Sequence, residues 1–99
     1  MHKILTGKCK EDFIKTKIGN EISLFESMLP IYSNALIIEW FDSIGICIDR
    51  DCINMEMVIT DFRDVKEKQT IIDCGLEEPF PDWWKKAIKK ANEIYNNKN

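Results

Sequence analysis

Histidine is almost missing from this chain: His2, close to the amino terminus, is the single one among 99 residues. General acid–base chemistry near neutral pH, nucleophile activation and most transition-metal sites draw on histidine, so a Ser-His-Asp or Cys-His arrangement would need His2 folded into a pocket. Glycine is scarce and scattered. Gly7, Gly19, Gly45 and Gly75 each stand alone, which excludes a glycine-rich phosphate loop and the dinucleotide fingerprint. Long apolar runs are missing too: Leu36-Ile37-Ile38 is broken at once by Glu39, against the roughly 20 residues needed to cross a bilayer. The stretch from Met1 to Lys8 has too short an apolar block for a signal peptide, so the expectation is a cytoplasmic protein with no membrane partner.

Cys9, Cys47, Cys52 and Cys74 lack the two-residue separation of zinc knuckles, and only Cys47 and Cys52 come near it. Free thiols are expected, Cys9 and Cys74 as small buried hydrophobes, with no metal and no cofactor. Asp49 and Asp51 resemble half of a calcium loop but lack its glycine and terminal glutamate, so they read as solvated turn residues. No pair of acids is marked by spacing as catalytic.

What is present is the makeup of one small folded domain: 44% hydrophobic residues, 31% charged residues and ten per cent aromatics. The net charge of −3 gives no general phosphate-tracking surface, which makes nucleic acid an unlikely partner. Lysines crowd both ends of the chain and acids the middle, as expected of lysine-rich solvent faces on two helices.

Thr6 is placed to cap a helix from Gly7 to Lys17 that buries Cys9, Phe13 and Ile14 and stops at Gly19. Asn20 to Met28 reads as a short helix or turn burying Ile22, Phe25 and Leu29. Pro30 can open a helix but not sit inside one, so the next helix starts between Pro30 and Asn34 and ends near Ser43. Its stripe is Leu36, Ile37, Trp40, Phe41 and Ile44. From Ile44 onward the apolar interval changes to alternation, Ile44, Ile46 and Ile48, as in a half-buried strand.

A loop at Asp49-Arg50-Asp51-Cys52 would form a hairpin pairing Ile48 with Ile53 and Ile46 with Met55, with Met57 and Ile59 on the same face. Gln69 to Cys74 reads as a third strand, after a polar turn at Asp64 to Lys68 and before Gly75. Phe80, Trp84, Ala87, Ile88, Ala91, Ile94 and Tyr95 then mark an amphipathic final helix, with Asn96 to Asn99 as a fraying tail. Trp83 lies about 100° from Trp84 around that helix and is expected at the rim with Phe80 and Pro81. The fold expected is α+β: N-terminal helices, a three-stranded antiparallel sheet, and a C-terminal helix packed on it.

Lys10-Glu11-Asp12-Phe13, Leu29-Pro30, Phe41-Asp42-Ser43-Ile44-Gly45 and Ala91-Asn92-Glu93-Ile94-Tyr95-Asn96 give the chain a layout that resembles short proteins of gut Bacteroides and their phages. The resemblance implies an origin and a fold, and no activity. Joined to the acidic middle, it leads to the expectation of a small non-catalytic accessory protein, a phage or mobile-element factor that occludes a host protein. Phe80 and Trp83 would supply apolar contact, and Asp61, Asp64 and Glu67 charge. The alternative is a small ligand-binding domain or carboxylate-based enzyme with a pocket between sheet and helix. A third possibility is a self-associating structural protein, with its own chain as partner.

Overall fold

The computed structural model describes residues 4–51, 53–63, 68–74 and 80–98. The chain forms α1 (Gly7–Phe13), which runs on as a π-helical turn (Ile14–Ile18), then a 3-10 turn (Gly19–Glu21), α2 (Ile22–Ser27) and α3 (Pro30–Ser43). Strands β1 (Ile46–Asp51), β2 (Glu56–Asp61) and β3 (Lys68–Asp73) follow, and α4 (Phe80–Lys98) closes the fold. The sheet is antiparallel in the order β1-β2-β3, with α3 packed on β1 and α4 on β1 and β2. This is the expected α+β arrangement.

The π-helical turn follows from the spacing of buried residues. Cys9 and Phe13 are buried four residues apart, as an α-helix allows, but the next buried position is Ile18, five residues on. An i→i+5 ladder brings that interval back to one face, and it ends when the Gly19 N–H bonds to the Ile14 carbonyl. The same turn carries Thr16 to the Trp40 indole, whose Nε1 donates to Thr16 Oγ1 at 2.9 Å. Trp40 then stands at the centre of an aromatic cluster, 5.5 Å from Phe13, 5.1 Å from Phe41 and 5.5 Å from Tyr95. One side chain thus joins α1, α3 and α4.

Gly45 makes the corner from α3 into β1. Its φ is +95°, and a Cβ there would meet Arg63 Cγ at 3.3 Å, so only glycine lets the chain turn beside the neighbouring backbone. Ile46, Ile48, Met57 and Ile59 then line the helix-covered face, as their alternation predicts.

The register corrects the expected hairpin. Ile48 pairs with Ile59 and Ile46 with Asp61, so β1 runs on through Asp49, Arg50 and Asp51, and Ile53, Asn54 and Met55 form the turn before β2. The Asp51 carboxylate accepts from the Ile53 and Asn54 N–H groups, and Met55 takes the left-handed conformation at φ +56°. An Asx turn therefore does what glycine usually does. The offset between the expected and observed partners is an even number of residues, so Met57 and Ile59 keep their face, while Ile53, expected opposite Ile48, falls in the turn and is exposed.

Two burial expectations are overturned in the helices. Leu29 is exposed in the corner between α2 and α3, because the chain leaves helical geometry at Met28 and turns it outward. On α4 the two tryptophans exchange places: Trp83 is fully buried, while Trp84 is only partly buried.

Candidate functional site

Polar side chains gather in two places, both built on α4. At its C-terminal end, Asn92 Oδ1 accepts from the Thr6 backbone N–H and Asn92 Nδ2 donates to Thr6 Oγ1, each at 2.9 Å. Asn96 lies one helical turn further on; its Oδ1 accepts from the Cys9 N–H at 2.8 Å and its Nδ2 donates to the Thr6 carbonyl at 3.0 Å. The start of α1 is thus capped by another helix rather than by Thr6, whose side chain makes no cap bond. Gly7 makes room for it, since a Cβ would meet the Asn96 amide at 3.2 Å. Asn96, expected in a fraying tail, is a fixed part of the structure.

Tyr95 completes this clasp. Its hydroxyl donates to Asp12, and the Arg63 guanidinium lies 5.2 Å from its ring centroid. That hydrogen bond, ahead of the Lys8 contact, holds the Asp12 carboxyl below its ordinary value. Burial and the Asp12 carboxylate push the Tyr95 phenol up to about 12. Arg63 grips Asp61 in a forked pair, Nε to Oδ1 at 3.1 Å and a second guanidinium N–H to Oδ2 at 3.2 Å.

Asp61 was expected to offer charge to a partner, and this is corrected: it is 2% exposed and held by Arg63. Trp83, expected at a rim, is corrected likewise, for it is 0% exposed and has no surface to offer. Asp64, Glu67 and the side chain of Phe80 lie outside the described residues, as do His2 and Cys52.

The other end of α4 borders a groove of about 990 Å³ between α3, β1 and α4. From α3 it takes Ile31, Asn34, Ala35, Ile38, Glu39 and Asp42, at i, i+3, i+4, i+7, i+8 and i+11, which is one continuous helix face. The core-facing residues of α3 are Ser33, Ile37, Trp40 and Phe41, so the helix has two working faces. β1 contributes Cys47 to Arg50, and α4 contributes Asp82, Trp84 and Lys85. The charged lining is Glu39, Asp42, Asp49 and Asp82 with Arg50 and Lys85, and Glu39 is paired with Lys17.

Cys47 is the groove's one thiol among the described residues. Its Sγ donates to Asp42 Oδ1 at 3.1 Å, and that bond, followed by burial and the charges of Asp42 and Asp49, pushes the thiol up to about 11. A thiol so held is a donor rather than a nucleophile at neutral pH. Asn34 Oδ1 is buried and accepts no hydrogen bond within the protein. Among the described residues, no group of three histidine, cysteine or acidic side chains is placed to hold a metal ion. Nor is any described helix long and apolar enough to cross a membrane.

Beside the groove, α2 and α3 meet in an exposed apolar corner. Leu24, Leu29, Ile31 and Tyr32 are all more than half exposed, and Ile31 belongs to both corner and groove. The alternation and helix stripes of the sequence could not reveal this site, because it is the face of α3 left over after the core is assigned. The one usable signal was an α3 apolar on too many sides, with Ile31, Tyr32 and Ile38 outside the core stripe.

No known protein family, curated protein or solved structure matches this chain. The functional reading therefore rests on the groove and corner themselves.

Proposed function

We propose that this small α+β domain is a protein-binding module, and that it binds through the groove-facing side of α3 and the adjoining α2–α3 corner. The observation that carries this reading is the second apolar face of α3. Ile31, Ala35 and Ile38 line one side of an open groove, continuous with exposed Leu29 and Tyr32. A folded chain that leaves large apolar side chains contiguous in one place, while scattering the others, marks a surface for a partner. Occlusion of another protein's functional surface is an activity of this kind, and it needs no catalytic group.

The groove also supports a second reading, a pocket between sheet and helix for a small cationic ligand, because four carboxylates border it. Its open form and the apolar corner favour the protein partner.

A photo-crosslinking amino acid placed at Ile31 or Ala35, and at Ile71 on the outer face of the sheet as a control, separates these readings in cells of the source organism. Discrete adducts with other proteins from Ile31 and Ala35, and none from Ile71, are expected. Adducts from Ile71 alone would move the interface to the sheet. No adducts anywhere, with a small cation raising the melting temperature, would establish the second reading.

A further inference from the structure

The two edges of the sheet differ in what covers them. α3 packs on β1, and Ile46 and Ile48 are buried there. β3 is the opposite edge, and along it Lys68, Gln69, Ile71 and Asp73 are exposed, Ile71 by 57%. The Cys74 N–H donates to the Met55 carbonyl at 3.1 Å, which fixes the alternation of the antiparallel ladder: Lys68, Thr70 and Ile72 turn their backbone groups to β2, and Gln69, Ile71 and Asp73 turn theirs outward. Among the described residues, none bonds to those outward groups. Edges of natural sheets are guarded by proline, by bulges or by charge. β3 has no proline and no bulge, pairs with β2 without interruption over its 6 residues, and carries its one lysine, Lys68, at the very end.

We propose that β3 is a self-association edge: a second copy of this chain lays its own β3 antiparallel against it about a two-fold axis at Ile71, joining two three-stranded sheets into one. The strand complements itself in this register. Ile71 faces Ile71, and because Val58 lies opposite Ile71 within each sheet, the pairing runs an apolar row Val58–Ile71–Ile71–Val58 across the outer face. On the helix-covered face the half-buried Ile72 of each copy meets Thr70 of the other. Lys68 stands at one end of the strand and Asp73 at the other, so antiparallel pairing sets the cationic end of each copy beside the acidic end of its neighbour, with no like charges opposite. A shift by two residues would put Ile71 opposite Gln69 or Asp73, and a parallel pairing in register would put Lys68 on Lys68 and Asp73 on Asp73. The edge lies on the far side of the sheet from β1, so the pairing leaves the groove beside α3 open and stands apart from the reading of that groove.

Sedimentation of the full chain over a concentration series tests this, with Ile71→Lys and Ile71→Glu run singly and as an equimolar mixture. The wild type is expected to dimerise as its concentration rises. Each variant sets like charges against each other on the two-fold axis and should weaken the dimer at least about tenfold, whereas the mixture should recover it through an oppositely charged pair. Thermal melting by circular dichroism confirms that each variant folds. A second measurement needs no substitution: in concentrated wild type the amide protons of Gln69, Ile71 and Asp73 are expected to exchange more slowly, while those of Thr70 and Ile72, already turned to β2, change less. This exchange pattern decides the matter where a variant fails to fold. A wild type that stays monomeric at every concentration would overturn the proposal, as would a dimer that survives both variants, a mixture of folded variants that fails to recover it, or exchange at Ile71 that ignores concentration.

Discussion

The two ends of α4 do opposite things with similar side chains. At the C-terminal end Asn92, Tyr95 and Asn96 close on Thr6, Cys9 and Asp12, and each of these α4 side chains has a partner within the protein. At the N-terminal end Asp82, Trp84 and Lys85 border an open groove, beside which the buried Asn34 oxygen accepts no hydrogen bond within the described residues. Because a buried polar group left without a partner costs about 1–3 kcal/mol, closed polar clusters mark structure and open ones mark where another molecule belongs.

The largest expected effect lies at the tryptophan pair. Trp83→Ala opens a cavity in the core and is expected to cost roughly 3–5 kcal/mol, which in a domain this small can abolish folding. Trp84→Ala borders the groove and should cost about 1 kcal/mol. Urea midpoints compare them directly, and equal shifts would mean that the stripe on α4 is misplaced.

The stripe was legible in the sequence only in part. Ala87, Ile88 and Ala91 belong to it whichever tryptophan is chosen, and the apolar pattern favours Trp84 because it stands four residues before Ile88 and seven before Ala91, near the middle of that face. The structure instead buries both Trp83 and Asn92, nine residues apart and on opposite sides of an ideal helix, so the covered face of α4 shifts between its start and its end. Buried polar residues escaped the reading as well: Asn92 gives no apolar signal, and Asp61 was read as surface charge. The hairpin slipped for a related reason, since Asp49, Arg50 and Asp51 look like turn residues but lie along an edge that tolerates charge. Helix order, strand parity and fold class survived because they rest on apolar spacing alone. The groove did not, because the two faces of α3 cannot be ranked before the sheet is placed.

A smaller effect is expected from the clasp. Asn92→Ala and Asn96→Ala each strip backbone groups of their partners and should cost about 1–2 kcal/mol by chemical denaturation, without altering the groove. Tyr95→Phe gives this a pH signature. The Asp12 carboxyl is held below its ordinary 3.8 chiefly by the Tyr95 hydroxyl, so its contribution is present above that value and lost as pH falls through the lowered native one. The stability gap between wild type and Tyr95→Phe should therefore be widest near neutrality and narrow in acid. A gap constant from pH 7 to pH 2, on the order of the full titration range of a carboxylate, would show that this bond carries no proton linkage.

The smallest effect is chemical. With its thiol at about 11, Cys47 should alkylate slowly at pH 7 despite being partly exposed, its rate climbing with pH. Asp42→Asn removes the carboxylate acceptor and should speed alkylation, read at the level of the Cys47 peptide by mass spectrometry.

The division of α4 into a closed end and an open end is tested most directly by crosslinking from Ile31 in two backgrounds, Ala35→Arg and Asn96→Ala, with the melting temperature of each variant recorded alongside. Ala35→Arg should melt within a few degrees of wild type, about the scale of an exposed substitution, yet lose its protein adducts. Asn96→Ala should melt lower and keep its adducts at any temperature where it is folded. Adducts that persist in Ala35→Arg and vanish in folded Asn96→Ala would contradict the account, placing the working surface at the clasp and not at the groove.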